Sequence, residues 1–201
     1  MAAGVRTLTG TEGERYRFDP GSFCLELLLT GGPGWLGRYE ILHSPDDLAS
    51  WLVDSRLTAT APLTVDALRI RPGELRQVKQ FRDTLWSAVR AVTHGQQPAA
   101  DDLERLNAAA GPPPRPRIEP ATGELAWAGP VTGGQVLGAA AREAIELLGG
   151  RLAGRVRECS ASDCYLVFLD TSRPGNRRWC SMERCGNRDK VRGYRRRRTA
   201  T

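Results

Sequence analysis

The sequence lacks any hydrophobic run long enough to cross a membrane. Its longest apolar stretch near the start, "FCLELLLT", is interrupted by Glu26 and is far shorter than the roughly 18 residues that a membrane span needs. The first eighteen residues contain no apolar segment of the kind found in secretory signals. We therefore expect a cytoplasmic protein, in which thiols stay reduced and clustered cysteines favour a metal over disulfides.

Histidine is also scarce, with two residues in the whole chain. His94 falls at the end of a predicted helix, where an imidazole interacts well with the helix dipole without any catalytic role. His43 has no acidic partner at a recognisable spacing. The string "GGPGWLGR" lacks the Lys-Ser/Thr ending of a phosphate-binding loop. It reads either as a plain surface loop or as a loop that lines a ligand pocket with Trp35, Arg38 and Tyr39.

Almost all of the positive charge comes from arginine rather than lysine, and it is distributed unevenly along the chain. Residues 1–150 carry 15 Lys and Arg against 18 Asp and Glu, a net charge of −3. Residues 151–201 carry 14 against 5, a net charge of +9. Strongly basic segments usually bind polyanions, nucleic acid first and anionic membrane surfaces second. The sequence therefore predicts a mildly acidic body joined to a cationic segment.

Periodicity and capping residues predict an α+β body that is mostly helical, with one small β-hairpin. Ser22 and Ser44 are expected N-caps, and Gly95 is expected to end the longest helix. Cys24 is expected to be a small core residue within the first helix. The predicted helices span 22–30, 44–57, 72–95, 99–111 and 133–150, and the predicted hairpin spans 117–127.

The other four cysteines form two pairs, Cys159-x4-Cys164 and Cys180-x4-Cys185, separated by fifteen residues. Two thiol pairs at this separation can close a tetrahedral four-cysteine site around one Zn²⁺. Two disulfides, unrelated buried thiols and an iron–sulfur cluster are the alternatives. Four thiolates would fill the zinc coordination shell and leave no open position for a substrate, so we expect no enzymatic activity.

The insert between the pairs predicts a treble-clef-like zinc module. Residues 165–170 and 177–180 read as strands joined by a turn at Pro174 and Gly175. After Cys180 the pattern becomes helical, which places Cys185 in the first turn of a C-terminal helix. There the helix dipole favours a thiolate.

The string "WCSMERCGNRDKVRGYRRR" resembles the signature of the CGNR zinc-finger family, named for the tetrad at residues 185–188. The similarity extends back through "CSASDCYLVFLDTSRPGNRRWC", so all four ligand positions are present. Upstream, the chain resembles the ABATE-type domain that is usually joined to this finger. This resemblance implies a transcription regulator with one structural Zn²⁺. Where the family pattern reads "LDFxNT", this chain reads "LELLLT", with Glu26 and Leu29 at the Asp and Asn positions.

The basic helix is expected to divide into a cationic face and a packing face. Arg184, Arg188, Arg192 and Arg195 share one face, whereas Asn187, Val191 and Tyr194 share another that we expect to pack on the hairpin. A solvated basic tail is the alternative, and a membrane-binding helix would need an apolar face that is not evident. The residues predicted to contact DNA are Arg177, Arg178, Arg184, Arg188, Lys190, Arg192, Arg195 and Arg196.

These patterns together predict a zinc-dependent DNA-binding transcription regulator. Residues 1–150 would form a sensor or assembly domain, and residues 151–201 would form the DNA-binding module. A single small module binds weakly, so we expect a homodimer on duplex DNA, with a small-molecule effector in the body. Two alternatives are a thiol and zinc redox sensor, and an adaptor that binds RNA or protein.

Overall fold

The computed structural model of the protein describes residues 3–10 and 13–192. Within them the chain is α+β, and most of its regular structure is helical. The α-helices are α1 (Phe23–Leu27), α2 (Pro45–Leu52), α3 (Pro72–Thr93), α4 (Ala100–Ala108) and α5 (Gly133–Gly149). The strands are β1 (Arg6–Thr9), β2 (Arg15–Phe18), β3 (Leu68–Arg69), β4 (Pro116–Ile118), β5 (Leu125–Trp127), β6 (Val131–Thr132), β7 (Val156–Glu158) and β8 (Val167–Leu169).

The strands form small two-stranded ribbons. β1 pairs with β2, β4 with β5 and β7 with β8 in antiparallel fashion, while β3 and β6 are parallel. The predicted hairpin at 117–127 is confirmed by β4 and β5, in which Arg117 faces Ala126. The β1–β2 hairpin and the β3–β6 pair were not anticipated from the sequence.

The predicted caps determine where the helices of the body begin. The Ser22 hydroxyl accepts a hydrogen bond from the Leu25 amide at 3.3 Å, and Ser44 accepts one from the Asp47 amide at 3.2 Å. These bonds satisfy amides that a helix N-terminus otherwise leaves unpaired. The first predicted helix ends earlier than expected, because residues 28–30 continue it as a tighter 3₁₀ turn.

The main hydrophobic core lies among α1, α3 and α5. The apolar stripe predicted for the long helix is buried, with Val78, Leu85 and Val89 fully enclosed. α3 packs against both α4 and α5, and α1 packs against α5. Cys24 is fully buried in this core, as predicted. Within the described residues no helix is both long and apolar enough to span a bilayer.

A buried ion pair ties the first strand to this core. The Arg6 Nε donates to the Glu26 carboxylate at 2.6 Å, and the Arg56 amide donates to the same carboxylate at 2.9 Å. The Arg6 guanidinium also lies 4.3 Å from the centre of the Trp51 ring. Burial raises the pKa of Glu26, although Arg6 and the Arg56 amide oppose that shift. Glu26, which stands at the Asp position of the family pattern "LDFxNT", therefore has a structural role.

A second, smaller core joins the N-terminal hairpin to the cysteine segment. In β2 the residues alternate between exposed and buried, so that Tyr16 and Phe18 point inward. They pack with Phe168 and with the four clustered cysteines. The two sequence regions that build this core are separated by well over one hundred residues. The cysteine segment therefore shares its core with the beginning of the described chain.

Candidate metal centre

The first thiol pair lies in the connection between β7 and β8. These strands pair with Val156 opposite Leu169, and the Cys159 amide donates to the Leu166 carbonyl at 2.9 Å. A further bond from the Cys164 amide to the Ala161 carbonyl, at 3.0 Å, closes the turn between the two thiols. The tight connection therefore directs both sulfur atoms toward one point.

The predicted pairing of strands 165–170 and 177–180 is wrong. Residues 165–170 do contain a strand, β8, but its partner is β7, which precedes the first thiol pair. Residues 177–180 form no strand, because the Asp170 carboxylate organises the intervening loop instead. It accepts bonds from the Ser172 hydroxyl at 2.6 Å and from the Arg177 amide at 2.8 Å. The module remains treble-clef-like, with the first pair inside the hairpin.

The second thiol pair leads into the C-terminal helix, as predicted. The Cys180 amide donates to the Cys159 sulfur at 3.4 Å, which draws the two pairs together. Met182–Gly186 form a π-helical turn capped by the Ser181 hydroxyl, and helical residues follow through 192. Cys185 therefore lies in the first turn of this helix.

The four sulfur atoms have the spacing of a single-ion site. All four lie within 4.8 Å of one another and are buried. Cys164 Sγ is 3.7 Å from Cys180 Sγ, which is 3.5 Å from Cys185 Sγ. A tetrahedral site with Zn–S bonds of about 2.3 Å places its sulfurs about 3.8 Å apart. The cysteines are free thiols, and their sulfurs are much too far apart for disulfides. The donor set fits one structural zinc ion.

The protonation of these thiols shows why the cluster needs a cation. Hydrogen bonds from Cys164 and Cys180 lower the pKa of Cys159. The same bond to Cys159 raises the pKa of Cys164, and bonds to both neighbours raise the pKa of Cys180. One thiolate is therefore stabilised by keeping its neighbours protonated. Four thiolates together require a positive ion, and a divalent ion would displace the remaining protons.

Two arginines supply part of the positive charge beside the sulfurs. Arg184 Nη1 lies 3.7 Å from Cys185 Sγ, and Arg188 Nη2 lies 3.5 Å from it. Arg188 also donates two bonds to the Asp163 carboxylate, at 2.9 and 3.0 Å. Guanidinium groups that contact a ligand sulfur fix its position. These arginines therefore belong to the support of the metal site.

Arg184 is the more deeply enclosed of the two and connects the helix to the N-terminal hairpin. Its Nε donates to the Glu14 carboxylate at 2.6 Å, and its guanidinium lies 4.9 Å from the centre of the Tyr16 ring. Burial alone would lower the pKa of Arg184, but the bond to Glu14 and the neighbouring anions raise it. The side chain is 7% exposed and carries its charge inside the protein.

The predicted division of the helix into faces is therefore wrong. Arg188 and Arg192 bind Asp163, which lies beside Cys164, with Arg192 Nη2 3.5 Å from it, whereas Arg184 turns toward Glu14 of the N-terminal hairpin. Asn187 and Val191, which were expected to pack inward, are exposed. The Arg184 and Arg188 guanidinium groups turn inward because the cysteine sulfurs and carboxylates that can neutralise them lie there, whereas Arg192 stays exposed. Tyr194, Arg195 and Arg196 lie outside the described residues.

The remaining predicted DNA contacts differ in accessibility. Arg177 is half-buried, with its guanidinium 4.0 Å from the centre of the Phe168 ring and Nη2 bonded to the Cys180 carbonyl at 2.6 Å. Arg178 and Lys190 are exposed. Arg177 therefore braces the loop before the second thiol pair, whereas Arg178 and Lys190 present their charges to solvent.

The predicted pocket residues lie where the body meets the zinc module. The Trp35 ring is 4.4 Å from that of Tyr165, centre to centre, and Arg38 lies over Trp35 at 5.3 Å. Trp35 and Tyr39 line a cavity of about 220 Å³, which Arg38 does not line. The structure thus brings the three residues together, but only Trp35 and Tyr39 line the cavity.

Several residues of the site were missed in the sequence. Tyr16 and Phe18 come from β2, whose alternation of arginine and aromatic residues in "RYRF" is a strand signal. Arg17, from the exposed side of the same strand, lines an open groove together with Arg177 and Arg178. Nothing in the sequence links this strand to a segment so distant along the chain.

Comparison with known protein families matches residues 21–151 to the ABATE family, described as "Putative stress-induced transcription regulator". Residues 155–198 match the CGNR zinc finger. Both matches agree with the resemblances carried by the sequence motifs. A search of curated proteins found no match. The chain therefore belongs to the ABATE family and carries a CGNR zinc finger, whose four cysteines form a site for one structural zinc ion.

Proposed function

We propose that this protein is a DNA-binding transcription regulator in which the zinc ion orders the cationic segment. The observation that carries the proposal is the concentration of charge, since residues 151–201 have a net charge of +9 against −3 for the rest. A tetrathiolate zinc site contributes two negative charges, which leaves the segment strongly cationic. Such a concentration of positive charge beside a small zinc site suits the phosphate backbone of duplex DNA.

The contacts of each basic residue refine the proposed DNA interface. Arg177, Arg184 and Arg188 are bound to groups of the protein, so their role in DNA binding is to hold the surface in place. Arg178, Lys190 and Arg192 are the exposed described members of the predicted set, and we place direct phosphate contacts on Arg178 and Lys190 because Arg192 also binds Asp163. Arg17 of β2 lines the groove beside Arg178 and is added to this set. Arg195 and Arg196, outside the described residues, stay predicted contacts.

Fluorescence anisotropy of the zinc-loaded full chain on duplex DNA across a salt series tests the proposal. Each phosphate contact adds about 0.9 to the slope of log K against log salt. We expect Arg178→Ala and Lys190→Ala each to lower this slope by about 1. Arg105→Ala is the matched control, because this exposed arginine lies on α4 of the body.

Cys185→Ser tests whether DNA binding by the cationic segment depends on zinc. We expect this variant to lose zinc and to lose the salt-dependent affinity together. Equal binding by wild type and Cys185→Ser would contradict the proposal and would reduce the arginines to a nonspecific tail. Stronger binding to structured RNA than to duplex DNA would favour an RNA adaptor. Zinc release at low peroxide dose, with parallel loss of DNA binding, would favour a redox sensor.

We also propose that the protein acts as a homodimer, since a second copy multiplies the few phosphate contacts of one small module. Ile118 and Leu125 face each other across the β4–β5 hairpin and are largely exposed, which suits an interface between copies. Sedimentation velocity tests this point. We expect Ile118→Lys to shift a wild-type dimer to a monomer, whereas a wild-type monomer at micromolar concentration would contradict it.

The proposal includes a cytoplasmic location and no catalytic role. Reduced, metal-binding thiols suit the cytoplasm. Four sulfur ligands complete the tetrahedral shell of zinc, so the ion has no position left for substrate or water. Hydrolysis or redox turnover by the zinc-loaded chain would contradict this part.

A further inference from the structure

A cavity of about 220 Å³ lies at the junction between the body and the zinc module. One wall comes from residues 28–39 of the body, and the opposite wall comes from residues 163–166, between the first thiol pair and β8. β1 and β2 contribute a third wall through residues 8–10 and Tyr16. The cavity therefore exists only when the three parts are packed together.

The interior of the cavity is mostly apolar and aromatic. The buried side chains of its lining are those of Tyr16, Leu28, Leu36, Trp86, Cys164 and Arg184. The Trp86 Nε1 donates to the Gly31 carbonyl at 3.0 Å, so the indole has its hydrogen bond satisfied within the wall. A Cβ at Gly32 would lie only 2.7 Å from that nitrogen, which explains why glycine is needed where the ring meets the backbone. The wall is thus fixed before any occupant arrives.

The mouth of the cavity carries three exposed aromatic rings, from Trp35, Tyr39 and Tyr165. The Trp35 ring stands edge-on both to Tyr165, at 4.4 Å, and to Tyr39, at 6.2 Å. Contiguous exposed apolar surface is uncommon on soluble proteins and often marks a binding site. Their clustering around one opening marks a site with stacking surfaces.

The charged groups of the lining, the buried Arg184 and the more exposed Asp163, are each neutralised by a partner. Arg184 is paired with Glu14, and Asp163 is paired with Arg188 and Arg192. A charged ligand would have to break one of these pairs or enter without a counter-ion. An uncharged ligand avoids both costs and gains from burial of its apolar surface.

The size of the cavity bounds the size of the ligand. A dry apolar cavity of about 150 Å³ holds benzene, so about 220 Å³ accepts a molecule of roughly two fused rings. We propose that this cavity binds a small, uncharged aromatic molecule of that size, and that the occupant holds residues 163–166 against the body. The inference rests on the proposed function, since it supplies the site and chemical class of its effector.

Cys164 connects the cavity to the zinc site, because it belongs to both. Cys164 itself lines the cavity, and Tyr165 and Leu166 follow it in the wall. An occupant that packs against these residues resists movement of the first thiol pair away from the second. Bound ligand should therefore slow the loss of zinc, in proportion to how much better it binds the closed arrangement.

Calorimetric titration of the zinc-loaded full chain with 2-naphthol tests the site, with 2-naphthoate as a charged molecule of similar shape. We expect 2-naphthol to bind at least tenfold more tightly than 2-naphthoate. Leu29→Asn, which places an amide on the cavity wall, should weaken 2-naphthol binding at least tenfold. Leu152→Asn makes the same change at an exposed position outside the cavity and should leave binding within twofold of wild type.

Zinc content and melting temperature confirm that each variant is folded. Tyr165→Ala gives a second test, because this ring is 45% exposed and its loss should weaken binding severalfold without unfolding the module. Undetectable binding of 2-naphthol, equal binding of the naphthoate, or unchanged binding by Leu29→Asn and Tyr165→Ala would overturn the assignment.

The rate of zinc release to an organomercurial, followed with a zinc-sensitive dye, tests the connection to the metal. 2-Naphthol at a concentration that just saturates wild type should slow release from wild type at least threefold and should slow release from Leu29→Asn much less. An unchanged wild-type rate would overturn the connection. DNA is absent from both measurements, so a failure of DNA binding and a failure of this site are seen in separate experiments.

Discussion

Replacement of Arg184 by alanine tests whether this arginine is structural, in contrast to Arg178, which we propose to contact DNA. The side chain lies between the C-terminal helix and the N-terminal hairpin, where it meets Glu14, the Tyr16 ring and Cys185 Sγ. Its removal takes a positive charge out of the second core. It does not remove an exposed group that could bind phosphate. We expect Arg184→Ala to destabilise the fold and to weaken zinc binding.

The magnitude follows from the contacts that are lost. A hydrogen bond to a charged group contributes about 1.5–3 kcal/mol, and a desolvated cation–π contact contributes about 2 kcal/mol. Glu14 is 36% exposed, so its carboxylate regains water and recovers part of this loss. A net decrease of roughly 2–4 kcal/mol in the free energy of unfolding is expected. In a protein of this size that corresponds to a fall in melting temperature of about 5–15 °C.

The assay compares Arg184→Ala with Arg178→Ala in the same buffers. Thermal unfolding and zinc retention should change for Arg184→Ala and remain as in wild type for Arg178→Ala. The salt slope of DNA binding, measured below the melting temperature with zinc in excess, should show the reverse. Each substitution removes one arginine from the same segment, so the net charge is matched.

A folded Arg184→Ala protein with wild-type melting temperature and a salt slope reduced by about 1 would refute this reasoning. That result would mean that the guanidinium leaves Glu14 to bind phosphate. Arg184→Lys provides a further check, because lysine keeps the charge and loses the planar geometry that spans Glu14 and the sulfur.

Three further outcomes are expected. Zinc affinity should fall as pH is lowered from 8 to 6, because Cys164 and Cys180, whose pKa values are raised, must release protons when zinc binds. Competition with a chromophoric chelator measures this affinity, and an affinity that does not change with pH would contradict the prediction. Phe168→Ala, at a fully buried ring, should cost about 3–5 kcal/mol in urea unfolding, and a cost below about 1 kcal/mol would show that the second core does not depend on it. Although partial burial opposes it, hydrogen bonding to Arg82 lowers the pKa of Glu40 to about 2, so the stability from this carboxylate is complete above about pH 4.5 and is lost as pH falls toward 2. Glu40→Gln should flatten that part of the acid unfolding curve, which an unchanged curve would contradict.

Local chemistry made the helices and the metal ligands predictable. Ser22 and Ser44 cap helices because their hydroxyls satisfy amides only three residues away. The four cysteines were recognisable because pairs at short spacing bring thiols together whatever the rest of the chain does. The site for zinc therefore followed from the sequence alone, without knowledge of the surrounding fold.

Partners that are distant along the chain were not predictable from pattern. The helix from residue 182 has arginines on one face, and helical spacing cannot say whether such a face meets solvent or buried acids. Asp163 and Glu14 decide the matter, since they lie where Arg184 and Arg188 can neutralise them. The predicted strand pairing in the zinc module was wrong for a similar reason. The loop after Asp170 is held by hydrogen bonds to the Asp170 side chain rather than by pairing with another strand.

The shared core of β2 and the zinc module has a consequence for biosynthesis. Tyr16 and Phe18 leave the ribosome more than 140 residues before Cys159, the first thiol that they pack beside. At about 5–20 residues per second, the aromatic strand waits roughly 7–30 s for its partners. During that time nothing from the zinc module covers the apolar side of this hairpin. That side is therefore exposed to chaperones and to aggregation. Zinc availability would thus decide the fate of the newly made chain as well as its final structure.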